Sequence, residues 1–130
     1  MKQILTVLKG VLAATGGVFG FLFGPMDIML TALCVLVATD YITGVAGAAI
    51  RGELSSKTGF KGLFKKLMIF ALVAVANIAD MIIPEANAAF RSMTIMFYAT
   101  NEALSVIENA IGMGLDVPQK LKELFSHRDE

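Results

Sequence analysis

The chain has 130 residues, with 11 basic and 11 acidic side chains that cancel to a formal net charge of zero, and 56% of its residues are hydrophobic against 17% charged. Zero net charge argues against a general nucleic-acid-binding protein, and a hydrophobic content above the roughly 45–50% of soluble domains favours a membrane protein. The alternative is a soluble bundle of unusually apolar helices, but a chain this short has little interior in which to bury several of them.

The first candidate membrane span covers residues 4–23. Lys2 precedes it as in a signal peptide, but Lys9 interrupts the apolar stretch, so we expect a retained segment. Three glycines spaced four residues apart favour close packing against another helix: Gly16, Gly20 and Gly24. Met26 is an alternative internal start that would remove this segment.

The second candidate span covers residues 26–50 and follows Gly24-Pro25, a pair suited to a tight helical hairpin. Asp27 and Asp40 are its charged residues. Gly44 and Gly47 share a helical face with Asp40, and their small size would let another helix approach, so we expect Asp40 at a helix–helix contact or at a pore wall. The single cysteine, Cys34, cannot form an intrachain disulfide.

A basic segment over residues 51–66 separates the second span from the third. We interpret it as a loop on the membrane surface, and its basic residues are Arg51, Lys57, Lys61, Lys65 and Lys66. Short loops rich in basic residues stay in the cytoplasm, which sets the orientation of the chain. The third candidate span, residues 67–83, carries Asn77 and Asp80 on one face.

The fourth candidate span, residues 93–115, carries a polar stripe at helical spacing. The stripe is predicted to line a pore or to form a polar helix interface, and its residues are Tyr98, Asn101, Glu102, Ser105, Glu108 and Asn109. Two glutamates on one face favour contact with water over simple helix–helix hydrogen bonding. Residues 116–130 follow as a cytoplasmic tail with a short amphipathic helix.

These segments predict an all-α polytopic membrane protein in which residues 1–130 form a single domain. With four spans both termini are cytoplasmic, and ten of the eleven basic residues lie on that side, Arg91 being the exception. If the first segment lies in the membrane interface, three spans remain. The polar and small-residue faces predict self-association within the lipid bilayer.

No pattern of catalytic residues is present, and we expect neither an enzyme nor a bound cofactor. His127 is the only histidine and has no cysteine nearby, so no spacing typical of a metal site occurs. No glycine-rich phosphate-binding loop ends in Gly-Lys-Ser or Gly-Lys-Thr.

Several ordered motifs together resemble the phage holin family that includes clostridial toxin-secretion holins. They are Asp40-Tyr41-Ile42-Thr43-Gly44, then Gly52-Glu53-Leu54-Ser55-Ser56-Lys57, and later Asn101-Glu102 with Leu104-Ser105-Val106-Ile107-Glu108-Asn109, within residues 26–128. The resemblance implies a non-enzymatic protein of the bacterial cytoplasmic membrane that oligomerises and opens lesions. An endolysin or a toxin would then leave the cell through these lesions, without necessarily contacting the protein itself.

Two other functions fit the same sequence. In a small ion or proton channel or transporter, the intramembrane acidic residues would be ion sites. An anti-holin or accessory subunit would bind a holin without forming holes. Passage of large solutes separates a lesion from a selective channel.

Overall fold

A computed structural model describes residues 1–126 and contains five α-helices: α1 (Lys2–Phe23), α2 (Ile28–Ile50), α3 (Ser56–Ile82), α4 (Ala89–Gly112) and α5 (Gln119–Ser126). A short 3-10 turn at Pro84–Ala86 lies between α3 and α4. No strand occurs over this range, which confirms the all-α prediction for the described residues. His127 and Arg128 lie outside them.

The basic segment, predicted as a surface loop over 51–66, is helical over residues 56–66. Ser55 is extended, and its hydroxyl accepts a hydrogen bond from the Thr58 amide at 3.5 Å, which caps the start of α3. The chain between α2 and α3 is therefore confined to residues 51–55. Lys57 to Lys66 thus belong to the first three turns of a 27-residue helix.

The core lies between α2, α3 and α4. Its three most deeply buried side chains come one from each helix, and these are Leu33, Val73 and Ile95, at 0%, 0% and 1% exposure. Leu30, Val37 and Ile69 extend the same cluster. Three helices thus share one apolar seam and form a compact bundle.

Helix α1 contributes no buried residue to this bundle. The space around Gly16 and Gly20 is open, because a Cβ atom built at either position would have no neighbour within 4 Å. The predicted packing of these glycines therefore has no counterpart within one copy and stays a prediction. Only the C-terminal end of α1 is held by side chains of the bundle.

Three helices, α1, α2 and α3, are long and apolar enough to cross a membrane. Helix α4 has 24 residues but is more polar, with Arg91, Glu102 and Asn109 along its length. The structure therefore shows a helical protein with three helices capable of spanning a membrane.

Candidate functional site

Three charged side chains meet inside the helical bundle, one from each helix. The Lys66 ammonium on α3 donates to Asp40 Oδ2 on α2 at 2.6 Å and to Glu102 Oε2 on α4 at 2.8 Å. All three side chains are largely buried, with exposures of 15%, 13% and 9% respectively. We call Asp40, Lys66 and Glu102 the charge layer; it carries one positive and two negative formal charges.

Asn109 extends the charge layer by one further contact between α4 and α2. Its amide nitrogen donates to Asp40 Oδ1 at 2.9 Å and to Thr43 Oγ1 at 2.8 Å. The same nitrogen lies 3.8 Å from the position that a Cβ atom would take at Gly44, which is an ordinary van der Waals distance. Asp40 therefore lies at a contact between α2 and α4, whereas the predicted packing role of Gly44 stays a prediction.

Charges within a membrane-embedded bundle are costly unless each one has a partner. Here no buried side-chain nitrogen or oxygen of residues 1–125 lacks a hydrogen bond. The ammonium of Lys66 has two carboxylate partners, and Asp40 accepts from both Lys66 and Asn109. The layer thereby fixes the positions of α2, α3 and α4 relative to one another.

A cavity of about 370 Å³, lined by both polar and apolar residues, connects the charge layer to one end of the bundle. It runs between α2 and α3 from Arg51, Glu53 and Ser55 to Asp40 and Lys66. We call this end, with residues 51–65, the lysine-rich end. The charge layer is thus approached from the lysine-rich end by this route.

The route stops at an apolar layer on the other side of the charges. Leu33, Val73 and Ile95 are each seven residues, or about two helical turns, from the charged residue of their own helix. Because these side chains are almost fully buried against one another, they close the axis of the bundle next to the charge layer.

A second polar cluster holds the opposite end of the bundle, which we call the Arg91 end. Arg91 is 4% exposed, and its guanidinium binds the Asp27 carboxylate at 2.8 Å and the carbonyl oxygens of Phe23 and Pro25 at 2.7 and 2.8 Å. Asn77 donates to the last carbonyls of α1, those of Phe21 and Leu22. These contacts tie the α1–α2 junction to α3 and α4.

Asp80 completes this second cluster by capping a neighbouring helix. Its two carboxylate oxygens accept the backbone N–H groups of Phe90 and Arg91 at 3.0 and 2.9 Å. A carboxylate at a helix N-terminus satisfies free amides and stabilises the helix dipole. Asn77 and Asp80 thus lie at a polar helix interface, one of the two roles predicted for them.

Gly24 is required at the α1–α2 junction. Its φ of 78° is a left-handed conformation, and a Cβ atom there would lie 2.7 Å from the Arg91 Nε.

The hydrogen bond from the Arg91 guanidinium holds the pKa of Asp27 below its ordinary range. The Asp27 carboxylate therefore stabilises the fold above about pH 4, and this contribution is lost as pH falls through the lowered pKa.

The polar stripe of α4 is divided between two surfaces. Glu102 and Asn109 point into the bundle, whereas Asn101, Ser105 and Glu108 lie on its outer flank, partly exposed or, for Glu108, exposed. None of these three outer side chains forms a hydrogen bond or ion pair within the part of the chain that the structure describes. We call Asn101, Ser105 and Glu108 the polar flank.

The remaining predicted residues lie near these features or apart from them. Tyr98 packs against the apolar core and the Phe97 ring. Gly47 is buried, with a Cβ position 3.1 Å from an Arg51 nitrogen. Lys57, Lys61 and Lys65 are exposed on α3.

Sequence reasoning missed the roles of Lys66 and Arg91. Lys66 was predicted on the membrane surface, but it faces the bundle interior. The signal was present in the spacing: Lys57, Lys61 and Lys65 recur every four residues, while Lys66 is turned by about 100° from Lys65. No comparable pattern marked the burial of Arg91.

Comparison with known proteins identifies a family. The family model described as the bacteriophage holin family matches residues 17–129. An uncharacterized protein of Listeria monocytogenes is 42% identical over 119 residues, covering 92% of this chain and 84% of its own length. A probable holin of Bacillus phage phi105 is 38% identical over 101 residues, which cover 75% of this chain and 71% of the phage protein. No solved structure matches the chain.

Replacement of Lys66 by methionine tests the charge layer. Lys66→Met keeps an unbranched side chain one atom shorter but leaves Asp40 and Glu102 facing each other without a cation, so we expect a loss of about 3–5 kcal/mol in the free energy of unfolding. Lys65→Met is the matched control, because Lys65 is exposed, and it should change stability by less than about 0.5 kcal/mol. Helix loss during denaturation in mixed micelles measures both values, and equal effects of the two substitutions would contradict the assignment.

Proposed function

Because the chain belongs to the bacteriophage holin family, we propose that it oligomerises in the bacterial cytoplasmic membrane and opens lesions through which an endolysin or a toxin leaves the cell. The protein acts without chemistry of its own and without a cofactor. Its cargo needs no direct contact with it. The probable holin of phage phi105 is the relative whose name supports this role.

The observation that carries the proposal is the polar flank of α4. Asn101, Ser105 and Glu108 lie on the outer surface of a helix whose opposite side is apolar, with Met96 at 61% exposure. Polar side chains facing hydrocarbon are unfavourable, so the flank needs either another protein surface or water. A chain that first pairs these flanks and then exposes them to water has both states of a holin.

The apolar layer favours a lesion that forms between copies of the chain, and it argues against a pore through a single copy. Leu33, Val73 and Ile95 close the axis of the bundle beyond the charge layer. A hole wide enough for an enzyme must in any case be wider than the space between three helices. The wall of the lesion is therefore built from the outer surfaces of many copies.

We further propose that α4 crosses the membrane as a fourth span. Its 24 residues extend about 36 Å, enough for a hydrocarbon core of about 30 Å. Two of its charged residues have partners within the bundle, since Arg91 pairs with Asp27 and Glu102 pairs with Lys66. Under the positive-inside rule the lysine-rich end is cytoplasmic, and four spans place both termini there as well.

A selective ion or proton channel is the second candidate. The cavity between α2 and α3, which ends at Asp40 and Lys66, is the specific observation in its favour. A channel of this kind would pass ions and exclude proteins. The release of an enzyme decides between the two functions.

Cysteine labelling tests the proposed orientation. In a Cys34→Ala background, a membrane-impermeant thiol reagent added to intact cells should modify Glu85→Cys, at the Arg91 end, and leave Ser56→Cys unmodified. Both residues are exposed, so the difference reports the side of the membrane. After permeabilisation both variants should react, and labelling of Ser56→Cys in intact cells would overturn the topology.

Replacement of the polar flank tests the function. Bacteria that co-express the chain with a signal-free endolysin should lyse abruptly, whereas the double variant Asn101→Leu/Ser105→Leu should insert normally and lyse late or not at all. Insertion is retained because the variant is more apolar and loses no hydrogen bond within one copy. Thr100→Leu is the matched control, since its hydroxyl bonds only the Met96 carbonyl one turn before it.

Lysis time is normalised to the amount of protein in the membrane fraction. Undiminished lysis by the double variant would remove the polar flank from the mechanism. Leakage of ions from cells that retain the endolysin would overturn the holin proposal and favour the channel.

A further inference from the structure

The outer faces of α3 and α4 border a groove near one end of the bundle. Near the Arg91 end its walls are apolar, with Leu72, Val75 and Ala79 from α3 opposite Met93 and Phe97 from α4, around a cavity of about 550 Å³. These contacts establish which face of each helix borders the groove.

Towards the lysine-rich end, the same two faces become charged. Lys65 and Lys61 precede Leu72 by seven and eleven residues, so they lie on the groove-bordering face of α3. Glu108 follows Phe97 by eleven residues, and Asn101 follows it by four, so both lie on the groove-bordering face of α4. One wall of the groove is therefore cationic, and the other carries the polar flank.

Lys61 and Glu108 lie at the same depth in the bundle. The contact of 2.8 Å between Lys66 and Glu102 sets a common level for α3 and α4. The helices run in opposite directions, so Lys61 is five residues and Glu108 six residues nearer the lysine-rich end. At a rise of 1.5 Å per residue these offsets are about 7.5 and 9 Å.

Neither charge is used within one copy. Lys61 and Glu108 are both exposed, and no ion pair within 4.0 Å joins either of them to another side chain among residues 1–126. Lys66, which does not follow the four-residue spacing of Lys57, Lys61 and Lys65, is the lysine that forms ion pairs within the bundle. Among the described residues, these faces thus offer two free cations, Lys61 and Lys65, and a free anion, Glu108, whose depth is close to that of Lys61.

We propose that the α3/α4 groove is a self-association surface in which Lys61 of each copy pairs with Glu108 of the other. A two-fold axis along the membrane normal preserves depth and places α3 of one copy against α4 of its neighbour, so the two ion pairs form reciprocally. Asn101 and Ser105 then face the neighbouring copy in place of hydrocarbon. The contact rests on the proposed function, because it names the surface through which the oligomer begins.

A second copy fits this groove better than an anionic lipid headgroup does. Lys61 and Lys65 would attract a phosphate, but Glu108 borders the same groove at the same depth and would repel it. A copy of the chain supplies the cation that Glu108 needs and the anion that Lys61 needs. Complementary charges of this kind select one partner and one register.

Charge exchange between copies tests the pairing. Purified chains carrying a donor or an acceptor fluorophore are reconstituted in vesicles of zwitterionic lipid, and energy transfer is measured as the protein-to-lipid ratio changes. Lys61→Glu or Glu108→Lys alone should weaken association by roughly tenfold or more, because each places like charges opposite one another. Mixing the two variants should restore transfer, since every Glu at 61 or 108 then faces a Lys.

Lys120→Glu is the charge-matched control, because Lys120 is exposed on α5 away from the groove, and it should leave association unchanged. The helical circular dichroism of each variant establishes that it is folded. Failure of the mixture to recover transfer, or an equal loss with Lys120→Glu, would overturn the pairing.

Lysis assays separate this pairing from the proposed function. Normal energy transfer in a chain that never releases an endolysin would leave the pairing intact and overturn the function. If the chain causes lysis but its energy transfer does not respond to the charge exchange, the proposed function stands and the pairing is overturned.

Discussion

The ammonium of Lys66, held between the carboxylates of Asp40 and Glu102, is the contact on which the bundle depends. It joins three helices at one point, and each of the three charges would be prohibitively costly in hydrocarbon without the others. Since the apolar surfaces of membrane helices do not drive association by themselves, such polar contacts and close packing decide the arrangement. The position of α4 between its neighbours follows from this contact.

Around the charge layer, polarity changes in steps along the bundle. A cavity lies on the side of the lysine-rich end, an apolar layer lies two turns away in the other direction, and the Arg91 cluster closes the far end. The buried polar side chains of one copy thereby have partners within that copy, and the apolar layer closes its axis. What it leaves unsatisfied is on its outside, where Glu108 and its neighbours border the α3/α4 groove. Under the proposed function, holes therefore form between copies of the chain and not through one copy.

Much of this arrangement follows from the sequence. Apolar run lengths predicted the helices, and the spacing of polar residues on α4 predicted a polar face. Gly44 beside Asp40 also predicted a close helix contact, and Asn109 makes it. These are local properties, since periodicity along one helix fixes which residues share a face.

The rest depends on contacts between helices, which spacing along one helix does not contain. Lys66 adjoins three surface lysines in sequence, and only the position of Asp40 and Glu102 makes it an interior residue. Arg91 was predicted to lie on the outer side of the membrane, but nothing in the sequence indicated that it would bond the carbonyls of the α1–α2 junction. The division of the α4 stripe into Glu102 inside and Glu108 outside likewise requires knowledge of where α2 and α3 lie.

The most direct test of this account is the distance from the Lys66 nitrogen to individual carboxyl carbons in a lipid bilayer. Solid-state NMR of protein with labelled lysine nitrogen and labelled Asp and Glu carboxyl carbons measures that dipolar coupling, with Lys66→Arg, Asp40→Asn and Glu102→Gln variants to assign it. Strong coupling of one lysine nitrogen to both an Asp and a Glu carboxyl, each lost in the corresponding variant, is the predicted result, since the Nζ–O distances are 2.6 and 2.8 Å. Coupling to neither carboxyl, or to Glu108 in place of Glu102, would contradict the account.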